Sequence, residues 1–191
     1  MKSAFAGLLT MVLASGAMAS HGSDQQTVRW RNVVGVITAL NVDNPVCGTD
    51  QDGNCVGTTI SAGTFAWVAR SGRARVNLST GATEFEVDGL NINGTQFSGT
   101  AGPVTQVEGT LVCNLGEDDE ATLDTSPVTL SLQGDAEFSG HITGIPSPCA
   151  NPLFLIRIVS PAIGLGRWIA TGVDRTMGTG RGMSSSSHED R

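Results

Sequence analysis

The residues of this sequence that could carry out chemistry are few, and its cysteines are the most informative of them. There are four: Cys47, Cys55, Cys113 and Cys149. In a chain that passes through an oxidising compartment, four cysteines most often form two disulfides. Three connectivities exist, and we favour the local pair Cys47–Cys55 together with Cys113–Cys149. The alternative, a zinc site made of all four, lacks the C-x2-C spacing of structural zinc sites.

The loop between the first two cysteines carries a cluster of oxygen donors. Asp50, Asp52 and Asn54 surround a glycine, and carboxylate and amide oxygens are ligands that calcium prefers. The segment departs from the EF-hand pattern, because Gly48 stands at the first acidic position and Thr59 at that of the closing glutamate. We therefore expect either a calcium site at Asp50, Asp52 and Asn54 or an ordinary polar turn, and no other cofactor.

Histidines, which most acid–base and metal chemistry would need, form no motif. His21 and His188 lie in polar ends of the chain, and His141 stands alone on the expected outer face of a strand, opposite Thr129. A Ser-His-Asp set would depend on His141 alone, and no G-x-S-x-G elbow precedes a helix. The sequence therefore predicts no catalytic residue and favours a protein that is not an enzyme.

The start of the chain has the pattern of a cleavable signal peptide. Lys2 is followed by the apolar run Ala4–Leu13 and by the small residues Ala17 and Ala19, which fit a signal peptidase site. The run is shorter than the 20 or so residues that span a bilayer, and no later segment is longer. We expect a secreted, periplasmic or cell-envelope protein without a membrane span.

The remainder divides into one domain with flexible flanks. The predicted parts are a signal peptide (1–19), a flexible lead (20–26), an all-β domain (27–175) and a disordered tail (176–191) rich in Gly, Ser and charge. The 25 glycines and the short apolar runs indicate many strands joined by turns. We predict a single disulfide-braced antiparallel β-sandwich, with a closed β-barrel as the alternative.

One hairpin can be paired residue by residue. If Thr80 and Gly81 form a two-residue turn in RARVNLSTGATEFEVD, the apolar residues match across the pair on one face. On the other face Arg75 meets Glu86 and Arg73 meets Asp88. Glu84 would meet the amide of Asn77, so Glu84, Glu86 and Asp88 would each have a polar partner. This is typical of a solvated sheet face and not of the two facing carboxyl groups of a glycosidase.

Three further strand patterns place notable side chains. In VTLSLQGDAEFSGHI, a loop at Gly134–Ala136 would make a second hairpin. The run LFLIRIV indicates a buried strand that is interrupted at Arg157. Trp30 lies between Arg29 and Arg31, and because strand side chains alternate, it should point inward and both arginines outward.

Charge narrows the choice of partner. The net charge is −7, and Lys2, the only lysine, lies in the predicted signal peptide. An acidic surface repels phosphate backbones, so nucleic acid is not an expected partner. We expect an exported non-enzymatic β domain with a binding or structural role, including self-association in which the strand-forming segment Thr27–Val42 pairs with the open sheet edge of a neighbouring copy. The alternative is a β-barrel enzyme or a carrier of a small hydrophobic ligand.

The processing site is directly testable. N-terminal sequencing of the exported protein should begin at Ser20, because Ala17 and Ala19 fit the small-residue positions that the peptidase binds. Replacing Ala19 with Arg should leave the precursor uncleaved, whereas replacing Ser23 with Arg should not change processing. A mature protein that still begins at Met1 would contradict the assignment.

Overall fold

The structure is a computed structural model that describes residues 26–36, 47–49, 55–57 and 60–177, the two short stretches by their backbone alone. Several predictions lie outside the described residues and stay predictions. They are the signal peptide at 1–19, almost all of the lead at 20–26, the calcium ligands Asp50, Asp52 and Asn54, the Cys47–Cys55 bond and the tail at 176–191, of which only Thr176 and Met177 are described.

The described chain forms thirteen strands and no α-helix. They are β1 (Thr27–Gly35), β2 (Cys47–Thr49), β3 (Cys55–Gly57), β4 (Ala66–Val68), β5 (Ser71–Asn77), β6 (Ala82–Asp88), β7 (Asn91–Asn93), β8 (Gln106–Cys113), β9 (Ala121–Asp124), β10 (Val128–Thr129), β11 (Ala136–His141), β12 (Leu153–Ile158) and β13 (Trp168–Met177). The described residues contain no helix that is long and apolar enough to cross a membrane.

Nine of these strands make one antiparallel sheet. Its order is β10-β8-β12-β13-β1-β5-β6-β11, with β9 also paired to β8, while β2–β3 and β4–β7 form two small separate pairs. The sheet is strongly curled into a half-barrel. The prediction of an all-β, antiparallel fold braced by a disulfide is confirmed.

The curl of the main sheet is visible in its aromatic contacts. Phe85 on β6 and Phe154 on β12 have three strands between them in the sheet order, yet their ring centroids are 5.7 Å apart. Gly109 on β8 faces both rings, and a Cβ added there would lie 2.8 Å from each. The absence of a side chain at Gly109 therefore lets the two halves of the sheet close over a shared core.

Trp30 fills the next part of the core, as its strand pattern predicts. It is 2% exposed, and its ring centroid lies 5.5 Å from that of Phe154. Gly172 on the neighbouring β13 provides the space, because an added Cβ there would lie 2.6 Å from the indole. At the end of β1, Trp67 of β4 donates its backbone N–H to Val36, so the β4–β7 pair packs against that end of the sheet.

The first predicted hairpin forms, but with a register that differs by two residues. Arg75 pairs with Glu84 and Arg73 with Glu86, because the loop has four residues, 78–81, rather than two. Asn77 accounts for the longer loop, since its side-chain Oδ1 accepts hydrogen bonds from the N–H groups of Ser79 and Thr80. A shift of two preserves which face each side chain occupies, so the predicted apolar and charged faces are correct.

The second predicted hairpin is wrong. β10 pairs with β8 and β11 pairs with β6, so the two strands lie at opposite ends of the sheet order. The connection between them is held by its own backbone hydrogen bonds: the Ser131 N–H donates to Asp135 O, the Gly134 N–H donates to Ser131 O, and the Leu130 N–H donates to Thr105 O. Because β10 and β11 also contact each other, this short connection joins the two edges of the curled sheet.

Of the predicted disulfides, Cys113–Cys149 is present. Both cysteines are buried, and the bond joins the end of β8 to the segment before β12. Next to it, Asn114 and Ala150 exchange two hydrogen bonds, from the Asn114 backbone N–H to Ala150 O and from Ala150 N–H to Asn114 Oδ1. The disulfide therefore holds the segment before β12, which forms few strand-to-strand hydrogen bonds of its own.

The contact at Gly109 leads to a stability prediction. Gly109→Ala should destabilise the protein by about 1–3 kcal/mol, because overpacking a filled core forces rings and backbone to shift. Chemical denaturation monitored by tryptophan fluorescence would measure the loss. In the Phe85→Leu background the cost of Gly109→Ala should fall, since the smaller side chain leaves room for the methyl group. Equal costs in both backgrounds would contradict this packing.

Candidate functional site

Charged side chains line the outer surface of four adjacent strands, β1, β5, β6 and β11. Alternation along each strand sends apolar side chains to the core and polar ones outward. We call this surface the arginine–glutamate face, and its charged members are Arg29, Arg31, Arg73, Arg75, Glu84, Glu86, Asp88 and Glu137. The two arginine strands are neighbours, as are the two glutamate strands.

The centre of the face is held by two cross-strand ion pairs. Arg75 Nη2 lies 2.5 Å from Glu84 Oε1, and Arg73 Nη2 lies 2.5 Å from Glu86 Oε2. The hydrogen bond from Arg75 lowers the pKa of the Glu84 carboxyl below its ordinary value. Glu84 therefore stays ionised at neutral pH and is unsuited to serve as a general acid.

Like charges meet at both sides of that centre. Arg29 of β1 is directly opposite Arg75 of β5, and Glu137 of β11 is directly opposite Glu86 of β6. Within the part of the chain that the structure describes, Arg29, Arg31 and Glu137 form no ion pair. Because facing like charges destabilise a sheet, this arrangement brings the monomer no evident benefit.

Between the outer arginines of β1 and the outer glutamate of β11 lies an open groove of about 620 Å³. Arg29 and Arg31 line one side and Glu137 and Ser139 the other, while the paired arginines and glutamates lie between them. The groove thus presents positive charge on one side and negative charge on the other, on strands that are fixed within the sheet. A partner with the opposite arrangement of charges would be complementary to it.

A second, partly buried cluster lies on the other half of the sheet. Arg157 Nη1 lies 3.0 Å from Asp124 Oδ1 and 3.6 Å from Glu108 Oε1, and its Nε donates to Gly166 O. The side chains of Arg157 and Glu108 are only 17% and 14% exposed. The register of the β12–β13 pair shifts between Ile156 and Arg157, whereas β12 pairs with β8 without interruption from Leu153 to Ile158.

Burial is the main influence on Glu108. It raises the pKa of the Glu108 carboxyl above its ordinary value, the neighbouring Asp124 carboxylate raises it further, and Arg157 opposes both. Thr110 Oγ1 donates to Asp124 Oδ1, so this second carboxylate has two partners of its own. The cluster joins β8, β9 and β12, and its side chains are engaged with one another.

The single sites considered from the sequence occupy different places. His141 is exposed on β11, as expected, but its strand neighbour is Ala82 of β6 and not Thr129, because the second hairpin does not form. Glu84, Glu86 and Asp88 share one face, with Arg75, Arg73 and Ser71 as their partners. Among the described residues, no group of three or more His, Cys, Asp or Glu side chains is arranged to hold a metal ion.

One feature of the arginine–glutamate face was not predicted from the sequence. The opposition of Arg29 and Arg75 depends on β1 pairing with β5, two strands separated by more than thirty residues of sequence. The alternation R-W-R in β1 and R-A-R in β5 is the signal that could have suggested it. Comparison of the chain with protein-family models, with curated proteins and with solved structures finds no match.

The buried glutamate leads to a pH prediction. A carboxyl whose pKa is raised on folding stabilises the protein below its unfolded pKa, and this contribution disappears as the pH rises through the folded value. Relative to the native protein, the melting temperature of Glu108→Gln should therefore rise as pH increases from 4 to about 7. Glu117→Gln, in the acidic loop 116–120, serves as the control and should show no such trend. A Glu108→Gln difference that is constant with pH would contradict the assignment.

Proposed function

We propose that this protein is an exported, non-enzymatic β domain that binds or assembles at the cell envelope or outside the cell through its arginine–glutamate face. The observation that carries the proposal is the pair Arg29 and Arg31. They lie on β1 beside the arginines of β5, and neither has an ion partner among the described residues. Arg29 is also directly opposite another arginine, Arg75.

Electrostatics gives such a face a reason to recruit a partner. Exposed charges on rigid strands steer encounters and select partners of complementary charge, even where each contact contributes little affinity. Arg29 and Arg31 gain little inside the monomer, so contact with a carboxylate, sulfate or phosphate would be a net improvement. Arginine suits this role, because its planar guanidinium can donate two parallel hydrogen bonds to an oxyanion.

The chemistry of the face favours binding over catalysis. Its central carboxylates are already paired with arginines, and the Glu84 pKa is lowered rather than raised. A glycosidase would need one carboxyl that remains protonated to donate to the leaving group. Exposed ion pairs on a solvated sheet are instead the setting of a recognition surface.

The aromatic interior argues against the alternative of a hydrophobic-ligand carrier. Trp30, Phe154 and Phe85 have consecutive ring contacts, and Gly109 has no room even for a methyl group. Carriers built on barrels keep a cavity at this level of the fold. The outer surface is therefore the better candidate for ligand contact.

Export has its own support. Cys113 and Cys149 are joined, and structural disulfides form in oxidising compartments outside the cytosol. Together with the predicted signal peptide, this bond favours a secreted, periplasmic or envelope location. The calcium site expected at Asp50, Asp52 and Asn54 remains a separate proposal that calcium-dependent melting of the purified protein would test.

Binding through the face can be tested without knowing the ligand. Purified protein should co-sediment with envelope fragments of the cells that produce it, or associate with itself, and high salt should weaken either interaction. Arg29→Ser and Arg31→Ser should each lower the affinity about two- to five-fold, the value of one exposed charge contact.

Arg70→Ser is the matched control, because Arg70 is 75% exposed and lies 4.0 Å from Asp135, away from the face. It removes the same charge and should leave binding unchanged. If all three variants bind as the native protein does, or if neither interaction occurs, the proposed function is wrong.

A further inference from the structure

We propose that the partner of the arginine–glutamate face is a second copy of this chain, stacked on it face to face; this inference rests on the proposed function. The starting point is the order of charge across the four strands. Columns of arginine on β1 and β5 are followed by columns of glutamate on β6 and β11, where Ser139 completes the last column.

The strand register divides these columns into two rows. The first row contains Arg29, Arg75, Glu84 and Ser139, each opposite the next. The second contains Arg73, Glu86 and Glu137, likewise in register, and Arg31 lies at its start, one residue beyond the paired Trp30 and Ala74. Each row therefore has cationic side chains in its first half and carboxylate or hydroxyl oxygens in its second.

Such a pattern is self-complementary under one particular two-fold axis. Consider a rotation of 180° about an axis that runs parallel to the strands, between β5 and β6. It keeps the position of each residue along the strand direction and reverses the order of the four strands. β1 then faces β11 of the other copy, and β5 faces β6. Two-fold dimers use the same patch on both subunits, so every contact formed in this way occurs twice.

The contacts that result give both outer arginines a partner that the described monomer does not provide, a carboxylate for Arg31 and a neutral hydroxyl for Arg29. Arg31 comes to lie over Glu137 of the partner subunit, and Arg29 over Ser139 of the partner subunit. In the centre, Arg73 lies over Glu86 of the partner subunit, so the existing ion pairs become four-membered networks. No arginine is placed over an arginine and no glutamate over a glutamate.

The size of the face sets the expected strength. Four strands about 4.8 Å apart span about 15 Å. A face of this width with two rows of side chains covers much less than the roughly 800 Å² per partner of a standard interface. Exposed ion pairs also contribute little individually and are screened by salt. We therefore expect a weak dimer that forms at high protein concentration and dissociates as salt is raised.

Charge reversal at the outer contact tests the geometry. Arg31→Glu alone and Glu137→Arg alone should each weaken the dimer about ten-fold or more, because each reverses two symmetric contacts. The double variant Arg31→Glu/Glu137→Arg should dimerise as the native protein does, and a mixture of the two single variants should form heterodimers. Sedimentation velocity at low and high salt measures all four.

Matched controls carry the same charge changes elsewhere. Arg70→Glu lies off the face, and Glu117→Arg lies in the acidic loop, so both should dimerise normally. Circular dichroism of each variant checks that the monomer remains folded. Rescue in the double variant is the result that a non-specific charge effect would not produce.

The remaining outcomes separate this inference from the proposed function. A native protein that stays monomeric, yet loses envelope binding in Arg31→Glu, would overturn the inference and identify a different partner for the same face. A dimer that is insensitive to both charge reversals would show that another surface associates, which also overturns it. A monomer whose envelope binding is unaffected by Arg31→Glu would overturn both proposals.

Discussion

Phe85 and Phe154 meet over the bare backbone of Gly109, and the architecture of the main sheet depends on that contact. A nine-stranded sheet can remain open or curl, and it curls when large side chains from distant strands find room in the same core. Trp30 over Gly172 repeats the arrangement one step along the sheet. The fold is thus built from large residues placed against strand positions that have no side chain.

The outer surface follows from this inner packing. Because side chains alternate along a strand, the strands that send Trp30, Ala74 and Phe85 into the core must send the flanking arginines and glutamates outward. The polar columns are therefore held as rigidly as the core is packed. A surface of flexible loops could rearrange to neutralise Arg29 and Arg31, whereas a central strand cannot.

Local features of the fold were predictable from the sequence, and the long-range ones were not. Alternation gave the strand faces of the first hairpin, and the spacing of the cysteines together with the predicted signal peptide favoured Cys113–Cys149. The hairpin register was wrong by two because Asn77 binds backbone N–H groups within the loop and lengthens it, a choice that strand patterns do not contain.

The second hairpin shows a different limit. Two adjacent strands with matching apolar faces normally pair with each other, but here each has a better partner elsewhere, β8 for β10 and β6 for β11. Which partner each strand takes depends on how the whole sheet curls. The amino-acid sequence alone does not reveal these long-range contacts. The columns of the candidate site were hidden for the same reason, since β1 and β5 meet only after the sheet has formed.

The pairing of β1 with β13 has a mechanical consequence. Val28 lies opposite Met177, so the chain enters and leaves the described domain at the same corner, on adjacent antiparallel strands. Tension transmitted through the two flanking segments would open this ladder one rung at a time instead of shearing all rungs together. The same proximity means that a short linker could join the two ends, and new termini could be opened at a surface loop without disturbing the order of the sheet.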